Sequence, residues 1–364
     1  MTGRAGGLVT MLGIETSCDE TAAAVVAETG DPVRPWRVMS SVVASQVNMH
    51  REWGGVVPEL ASRQHIRDIC GVVEGALSGA SLNLRDCDAV AVTHGPGLVG
   101  SLLVGVAFAK SLAWHAGRPL VPVHHLAGHI ESLVLDGGEM PLPAVVLVVS
   151  GGHTSLYRIP ARGRYELLGR TRDDAAGEAY DNVARLLGLG YPGGPAIDRL
   201  AGTGDDRAVT LPRTRLTHAD RNARNLPGLL DFSFSGVKTA VSRYVIGRRV
   251  TLGLGPDAAL PATEVADICA SFQRVVVSSL LDRLFEAAEA EGACSVGIAG
   301  GVSANGRLRR DAASRAATAG VPCFVPGPEL STDNAAMIAA AGLRRFAEGV
   351  RADWTLNAEA SLRL

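Results

Sequence analysis

The chain has 364 residues, 47% of them hydrophobic, and its 35 Lys and Arg against 37 Asp and Glu leave a formal charge of -2. That length exceeds one ordinary domain and supplies apolar material for two cores, and the near-neutral balance argues against a uniformly basic nucleic-acid binder while leaving a local basic face open. Six scattered cysteines with no CxxC pair suggest neither a disulfide framework nor a cysteine zinc site, and point to a reducing, cytoplasmic compartment. Residues 1–10 read as a loose extension with no signal-like apolar run, and no later stretch matches the roughly 18 charge-free residues of a membrane span, so no membrane association is expected.

The first element pair is MLGIETSCDETAAAVVAE (11–28), two apolar strands around a turn at Thr16 to Glu20. The same pattern returns in AVVLVVSGGHTSLYRIP (144–160), with two glycines in the turn Ser150 to His153. Such a repeat predicts two related lobes, each opening with a hairpin whose turn can aim backbone N–H groups at an anion. A lone glycine turn would not by itself separate this from two unrelated hairpins. Between the two lies AVAVTHGPGLVGSLLVGVAFAKSLAWHAG (89–117), which predicts a buried strand, a glycine loop and a long apolar helix. Gly100 and Gly105 in that helix point to close packing of another chain segment. Later, SVGIAGGVSANGRLRRDAASRAATAG (295–320) predicts strand, Gly-Gly turn and helix, with Ser303 and Asn305 at a helix mouth suited to a phosphate or ribose. PCFVPGPELSTDNAAMIAAAGLRRFAEG (322–349) predicts a strand, a proline-marked loop and a helix begun by Ser331, Thr332 and Asp333. Alternating strands and helices place the chain in the α/β class.

The stretch HHLAGHIES carries His125 and His129 on a predicted helix. At about 100° per residue the two rings lie about 40° apart and share a face, while Leu126, Ile130 and Leu133 form an anchoring stripe. Spacing alone leaves open two helix histidines with ordinary hydrogen bonds or two ligands for one ion. A peptidase of the HExxH type needs a glutamate after the first histidine, and Leu126 stands there. A metal would need a third ligand from elsewhere, for which Asp333 at the start of its own helix is the best candidate.

With these motifs assembled, the sequence closely resembles the bacterial tRNA N6-adenosine threonylcarbamoyltransferases, the TsaD group of the Kae/Qri family once described as O-sialoglycoprotein endopeptidases. The resemblance covers nearly the whole chain and rests on GIETSCDET, PELASRQH, THGPGLVGSLLVG, HHLAGH, VSGGHTSL, DDAAGEAYDNVARLLGLGYPGGPAID, FSFSGVKTAV, AGGVSANGRLR and STDNAAMIA, in that order. It implies a two-lobe actin-like, Hsp70-like ATPase (ASKHA) fold of duplicated RNase H-like domains. The lobes are expected at 11–142, completed by a C-terminal helix over about 333–364, and at 143–332.

The resemblance further implies transfer of a threonylcarbamoyl group from threonylcarbamoyl-AMP to N6 of adenosine 37 in tRNAs reading ANN codons, forming t6A. By position, His125, His129 and Asp333 are the implied ligands of one divalent metal, iron (Fe2+) with zinc (Zn2+) as a substitute. The implied substrate-binding set is Val148, Val149, Ser150, Gly151, Gly152, Asp181, Gly194, Asp198 and Asn305. Asp19 and Glu20 in the first turn are the residues expected to handle protons or orient the acyl group, against a simple turn role. Lys238 is a candidate phosphate contact, against a surface lysine. Arg213, Arg215, Arg221 and Arg224, and Arg307, Arg309 and Arg310, are candidate tRNA contacts, against a solvated surface. The family's expected partners are tRNA, a TsaB-like paralogue near the apolar helix 98–116, and a TsaE-like ATPase. The competing classes are a metallopeptidase and a small-molecule kinase of the same fold, which would use a catalytic aspartate and Mg2+ without a histidine pair.

Overall fold

The computed structural model describes residues 7–219 and 228–364. In chain order, β1 (Thr10–Glu15), β2 (Glu20–Glu28) and β3 (Trp36–Ser45) are followed by α1 (Val47–His50), α2 (Pro58–Gly79), β4 (Ala89–Gly95), α3 (Val99–Ala116), β5 (Leu120–His124) and α4 (His125–Gly137). The second series is β6 (Ala144–Val149), β7 (Thr154–Ile159), β8 (Glu166–Arg170), α5 (Ala176–Leu186), α6 (Gly193–Ala201), α7 (Ser235–Thr251), α8 (Ala262–Ala290), β9 (Ser295–Ala299), α9 (Gly306–Ala319) and β10 (Cys323–Phe324). Then come α10 (Pro328–Ser331) and α11 (Ala335–Ala347).

One sheet runs β3-β2-β1-β4-β5 and the other β8-β7-β6-β9-β10. Counted from its own first strand, each has the order 3-2-1-4-5. In each, the opening three strands form an antiparallel meander and the last two join in parallel. The hairpins read from the two apolar repeats are therefore equivalent elements of a duplicated RNase H-like architecture, and the actin-like fold expectation holds. The chain forms two compact units, one from the residues up to Met49 with Val56–Met140 and Pro326–Leu364, the other from His50–Gly55 with Pro141–Val325.

In the first unit successive side chains of β1 and β2 point to opposite faces, and both faces are covered. Met11, Ala22, Ala24 and Val26 meet α11, whereas Leu12, Ile14, Ala23 and Val25 meet Ile69, Val72 and Val73 of α2 and Val106 and Ala109 of α3. Helix α11 lies unusually close to the sheet. A Cβ on Gly13 would sit 2.7 Å from the backbone nitrogen of Ala339, and one on Gly342 would sit 2.5 Å from the Ala91 Cβ. The alanine-rich run AAMIAAAGL is the sequence counterpart of that approach, because larger side chains would lift the helix away. Gly105 of α3 likewise has no room for a side chain, since its Cβ would collide with the Thr16 hydroxyl.

Three boundaries differ from the sequence reading. The loose extension was expected through residue 10, but Thr10 already pairs in β1 and the Val9 amide donates to Glu28 at 3.0 Å; residues 1–6 lie outside the described residues. The last helix does not begin with Ser331, Thr332 and Asp333, because Asn334 is its N-cap and accepts from the Met337 amide at 2.9 Å. Nor is the C-terminal segment helical to residue 364. The helix ends at Ala347, and a non-helical tail follows in which the Glu359 amide donates to the His94 carbonyl at 2.7 Å. Helix α3 has the length and apolar composition of a membrane span. It contains Lys110, and one face, with Leu102, Val106, Ala109 and Ala113, packs into the first unit's core.

Candidate active site

Helix α4 starts directly from β5, with His124 as its N-cap, so His125 enters at the first helical position and His129 one turn later. Both rings are buried and stand edge to face with centroids 4.7 Å apart. The asparagine cap on α11 leaves the preceding Asp333 carboxylate to face them. Its Oδ1 lies 3.5 Å from His125 Nε2 and 3.2 Å from His129 Nε2, and one ligand atom from each of the three residues falls within 4.8 Å of the others. Bonds of about 2.0–2.2 Å to a common ion place ligand atoms about 2.9–3.6 Å apart, so little movement would close these three around a metal.

The surroundings fit a cation. His129 Nδ1 is buried without a hydrogen-bond partner among the described residues, and its Nε2 faces the Asp333 carboxylate. His125 Nδ1 lies 3.1 Å from Glu15 Oε2 and 3.1 Å from the Ser17 hydroxyl, an arrangement that keeps a proton on Nδ1 and turns Nε2 toward Asp333. Glu15 is wholly buried and also accepts from the Thr93 hydroxyl at 2.7 Å and from the Ser17 amide. Burial would raise the Glu15 carboxyl, but His125 beside it and the Thr93 bond hold it below its usual value. Burial likewise opposes a charge on His125, yet Asp333 and Glu15 push it up to about 9; His129 is lowered, chiefly by burial. The buried Glu15 carboxylate and the partly exposed Asp333 carboxylate thus favour positive charge where the three ligand atoms converge. Neither Glu15 nor Ser17 had been singled out from the sequence, although both lie in the quoted GIETSCDET motif.

Asp19 lies in the turn that follows, and Glu20 opens β2. Asp19 is buried, and the Gln46 amide donates to its carbonyl at 3.0 Å. Glu20 is raised well above the usual carboxylate range by burial, then by the charges of Asp19 and Asp333 and a hydrogen bond with Asp19. The neighbouring Cys18 thiol is raised well above its usual value, first by burial and then by the same acids, which rules out a resting thiolate there. His65 braces the turn from α2. Its Nε2 donates to the Cys18 carbonyl at 3.0 Å and its Nδ1 faces the Thr21 hydroxyl at 2.8 Å.

The remaining residues of the expected substrate set lie in the second unit. Val148 and Val149 are fully buried in β6, between β7 and β9, so only their backbone is available to a ligand. The turn that follows is closed by the Ser150 amide donating to the His153 carbonyl at 2.8 Å, and a Cβ on Gly151 or Gly152 would meet nothing within 4 Å. Gly194 borders equally open space. Asp181 accepts from the Gly193 amide at 2.7 Å. Asp198 accepts from the Gly306 amide at 2.9 Å and from Gln273 at 3.0 Å, and Asn305 caps α9 by accepting from the Leu308 amide at 2.9 Å.

Several basic candidates are already paired. Lys238 is bound to Asp174, Arg213 to Asp282, Arg215 to Glu286 at 2.9 Å, and Arg307 to Asp206 at 2.7 Å. Three of the seven arginine candidates, Arg213, Arg215 and Arg307, therefore face neighbouring acids; Arg221 and Arg224 lie outside the described residues. Glu131 binds Arg344 and the Trp36 indole instead of facing the histidines, so the glutamate that follows them on α4 is not a base of the peptidase kind.

The family model for tRNA N6-adenosine threonylcarbamoyltransferase, TsaD, matches residues 37–340. A curated protein of that name from Symbiobacterium thermophilum is 52% identical over 364 residues, covering 100% of this chain and 99% of its own. Another of that name, from Koribacter versatilis, is 47% identical over 381 residues, covering 97% of this chain and 98% of its own. Among solved structures, full-length HypF in its phosphate- and nucleotide-bound form is similar in fold, with a TM-score of 0.53, 13% identity, and coverage of 92% of this chain and 55% of that one. The chain belongs to the TsaD family of tRNA N6-adenosine threonylcarbamoyltransferases.

Proposed function

We propose that the protein transfers the threonylcarbamoyl group of threonylcarbamoyl-AMP to N6 of adenosine 37 in ANN-reading tRNA, forming t6A and releasing AMP. The observation that carries this reading within the family is the convergence of His125, His129 and Asp333 beside a carboxylate-lined turn. Two imidazoles and one carboxylate suit Fe2+ or Zn2+ and leave positions open for a substrate. The chemistry such an ion supplies there is Lewis-acid polarisation of a carbonyl oxygen.

The chain's own residues would do the rest. Gly151 and Gly152 offer backbone N–H groups to an anion without side-chain crowding, and Asp181 and Asp198 offer acceptors to ribose hydroxyls. In the transfer, the adenosine N6 forms a bond to the carbonyl carbon, the bond from that carbon to the phosphate oxygen breaks, and one N6 proton must leave. Asp19 and the neighbouring Glu20, whose carboxyl is raised by burial and by Asp19, handle that proton or orient the acyl group. Because AMP is a good leaving group, positioning supplies most of the acceleration.

A TsaB-like partner docks on α3 in this reading. Val99, Leu103 and Trp114 share one helical face and are 55%, 46% and 72% exposed, with Ile66 of α2 also bare at 63%. A TsaE-like ATPase completes the set of protein partners. The test is incubation of the metal-loaded protein and its partners with threonylcarbamoyl-AMP and unmodified tRNA. t6A and AMP should appear in equal amounts; AMP without modified nucleoside would refute transfer in favour of hydrolysis.

A further inference from the structure

Gln273 lies in the middle of α8, 3% exposed, among the helix residues that face the second unit's core. Its amide makes two side-chain bonds, both to residues of the expected nucleotide set. Asn305 Nδ2 donates to Gln273 Oε1 at 2.8 Å, and Gln273 Nε2 donates to Asp198 Oδ1 at 3.0 Å.

These bonds form a chain whose direction is fixed from one end. The Leu308 amide can only donate, so the Asn305 oxygen must face it at 2.9 Å and the Asn305 NH2 must face Gln273. Gln273 must then present its oxygen to Asn305 and its NH2 to Asp198. The other Asp198 oxygen is held by the Gly306 amide at 2.9 Å. No amide in the chain can flip without setting donor against donor or acceptor against acceptor. The network also divides each side chain's capacity, since Asn305 keeps one amide hydrogen and one lone pair, and Asp198 keeps a lone pair on each oxygen. Those are the groups that a vicinal diol can both donate to and accept from.

We propose that Gln273 is a positioning residue for nucleoside recognition, holding Asp198 and Asn305 in the one orientation that leaves their remaining donor and acceptors for the ribose of the adenylate. This rests on the reading of Asp198 and Asn305 as nucleoside contacts. Gln273→Met keeps the length of the side chain and removes both bonds. Gln273→Glu keeps the acceptor for Asn305 and sets a carboxylate against Asp198.

The experiment is calorimetric titration of the full-length protein with AMP, together with steady-state transfer kinetics varied separately in threonylcarbamoyl-AMP and in tRNA. Asp198→Ala and Asn305→Ala should each raise the AMP Kd about tenfold or more. Gln273→Met should raise it by about the same factor and raise the KM for threonylcarbamoyl-AMP. The KM for tRNA and the bound metal should stay at wild-type values, and Gln273→Glu should fall at least as far. If Asp198→Ala and Asn305→Ala leave AMP binding intact, the nucleoside reading itself fails. If they weaken it while Gln273→Met binds AMP as the wild type does, the positioning role is refuted. Equal losses for adenylate and tRNA with a lowered melting temperature would refute it too, by reducing Gln273 to a core residue.

Discussion

Replacing Glu15 by Gln tests whether the His125 ring is oriented for metal binding. The substitution keeps volume and removes one charge. In the wild type all three partners of the carboxylate can donate: the Ser17 amide to Oε1, and the Thr93 hydroxyl and His125 Nδ1 to Oε2. An amide offers an acceptor on one side only. If its NH2 faces Ser17, two donors oppose each other in a fully buried site. If it faces His125, the imidazole must move its proton to Nε2, the nitrogen aimed at Asp333, and lose it as a ligand. Either way the partner that sets the tautomer is gone, and such losses cost about 10- to 100-fold in metal affinity, or about 1.4–2.7 kcal/mol. Competition against a chromogenic chelator, with Zn2+ in air or Fe2+ under nitrogen, would measure the shift. A folded Glu15→Gln protein that binds metal within twofold of the wild type would refute the reasoning.

Four further outcomes are expected. Glu131→Ala removes the main partner of Arg344, which is 11% exposed and bonded to Glu131 at 2.5 and 2.9 Å; breaking a buried pair costs about 3–5 kcal/mol, so the thermal midpoint should fall clearly even though Glu139 remains at 3.0 Å. Gly13→Ala would drive a methyl group into the backbone of α11 and should destabilise by about 1–3 kcal/mol or more, read as a lower denaturant midpoint. Tyr180→Phe removes a buried hydroxyl with no hydrogen-bond partner among the described residues and should leave stability unchanged or raised. For Asp173, burial works against ionisation, but bonds from Ser233, Phe234 and Ser235 hold it below its usual 3.8. Its contribution is present above that unfolded value and is lost as pH falls through the lower folded one, so Asp173→Asn should flatten the acid limb of the stability profile measured by chemical denaturation.

The fold was legible where local pattern and tertiary role agree. The two apolar hairpins announced themselves because their strands are central and covered on both faces, which demands unbroken apolar runs. The start of α11 was misread because Ser331, Thr332 and Asp333 are all competent caps, and only the observed bond from the Met337 amide to Asn334 decides among four adjacent candidates. The histidine pair was visible through its helical spacing, but its relation to Asp333 spans about 200 residues and could be suggested only by chemistry. Glu15 was hidden because an acid ending an apolar strand reads as the strand's boundary, and its role emerges only when β4 and α4 bring Thr93 and His125 to it. Gln273 gave no signal at all, since one polar residue on a long helix ordinarily marks the solvent side, and here it points into the interior.

The most direct test of the account is nucleoside mass spectrometry of an ANN-reading tRNA after incubation with threonylcarbamoyl-AMP, the metal-loaded protein and its partners. A second tRNA carrying guanosine at position 37 and a His129→Ala protein serve as controls. The account predicts one t6A per tRNA with the wild-type protein, none on the guanosine tRNA, and none with the variant, whose metal content should be lost as well. Absence of t6A from the complete wild-type reaction, or full transfer by a metal-free His129→Ala protein, would contradict it.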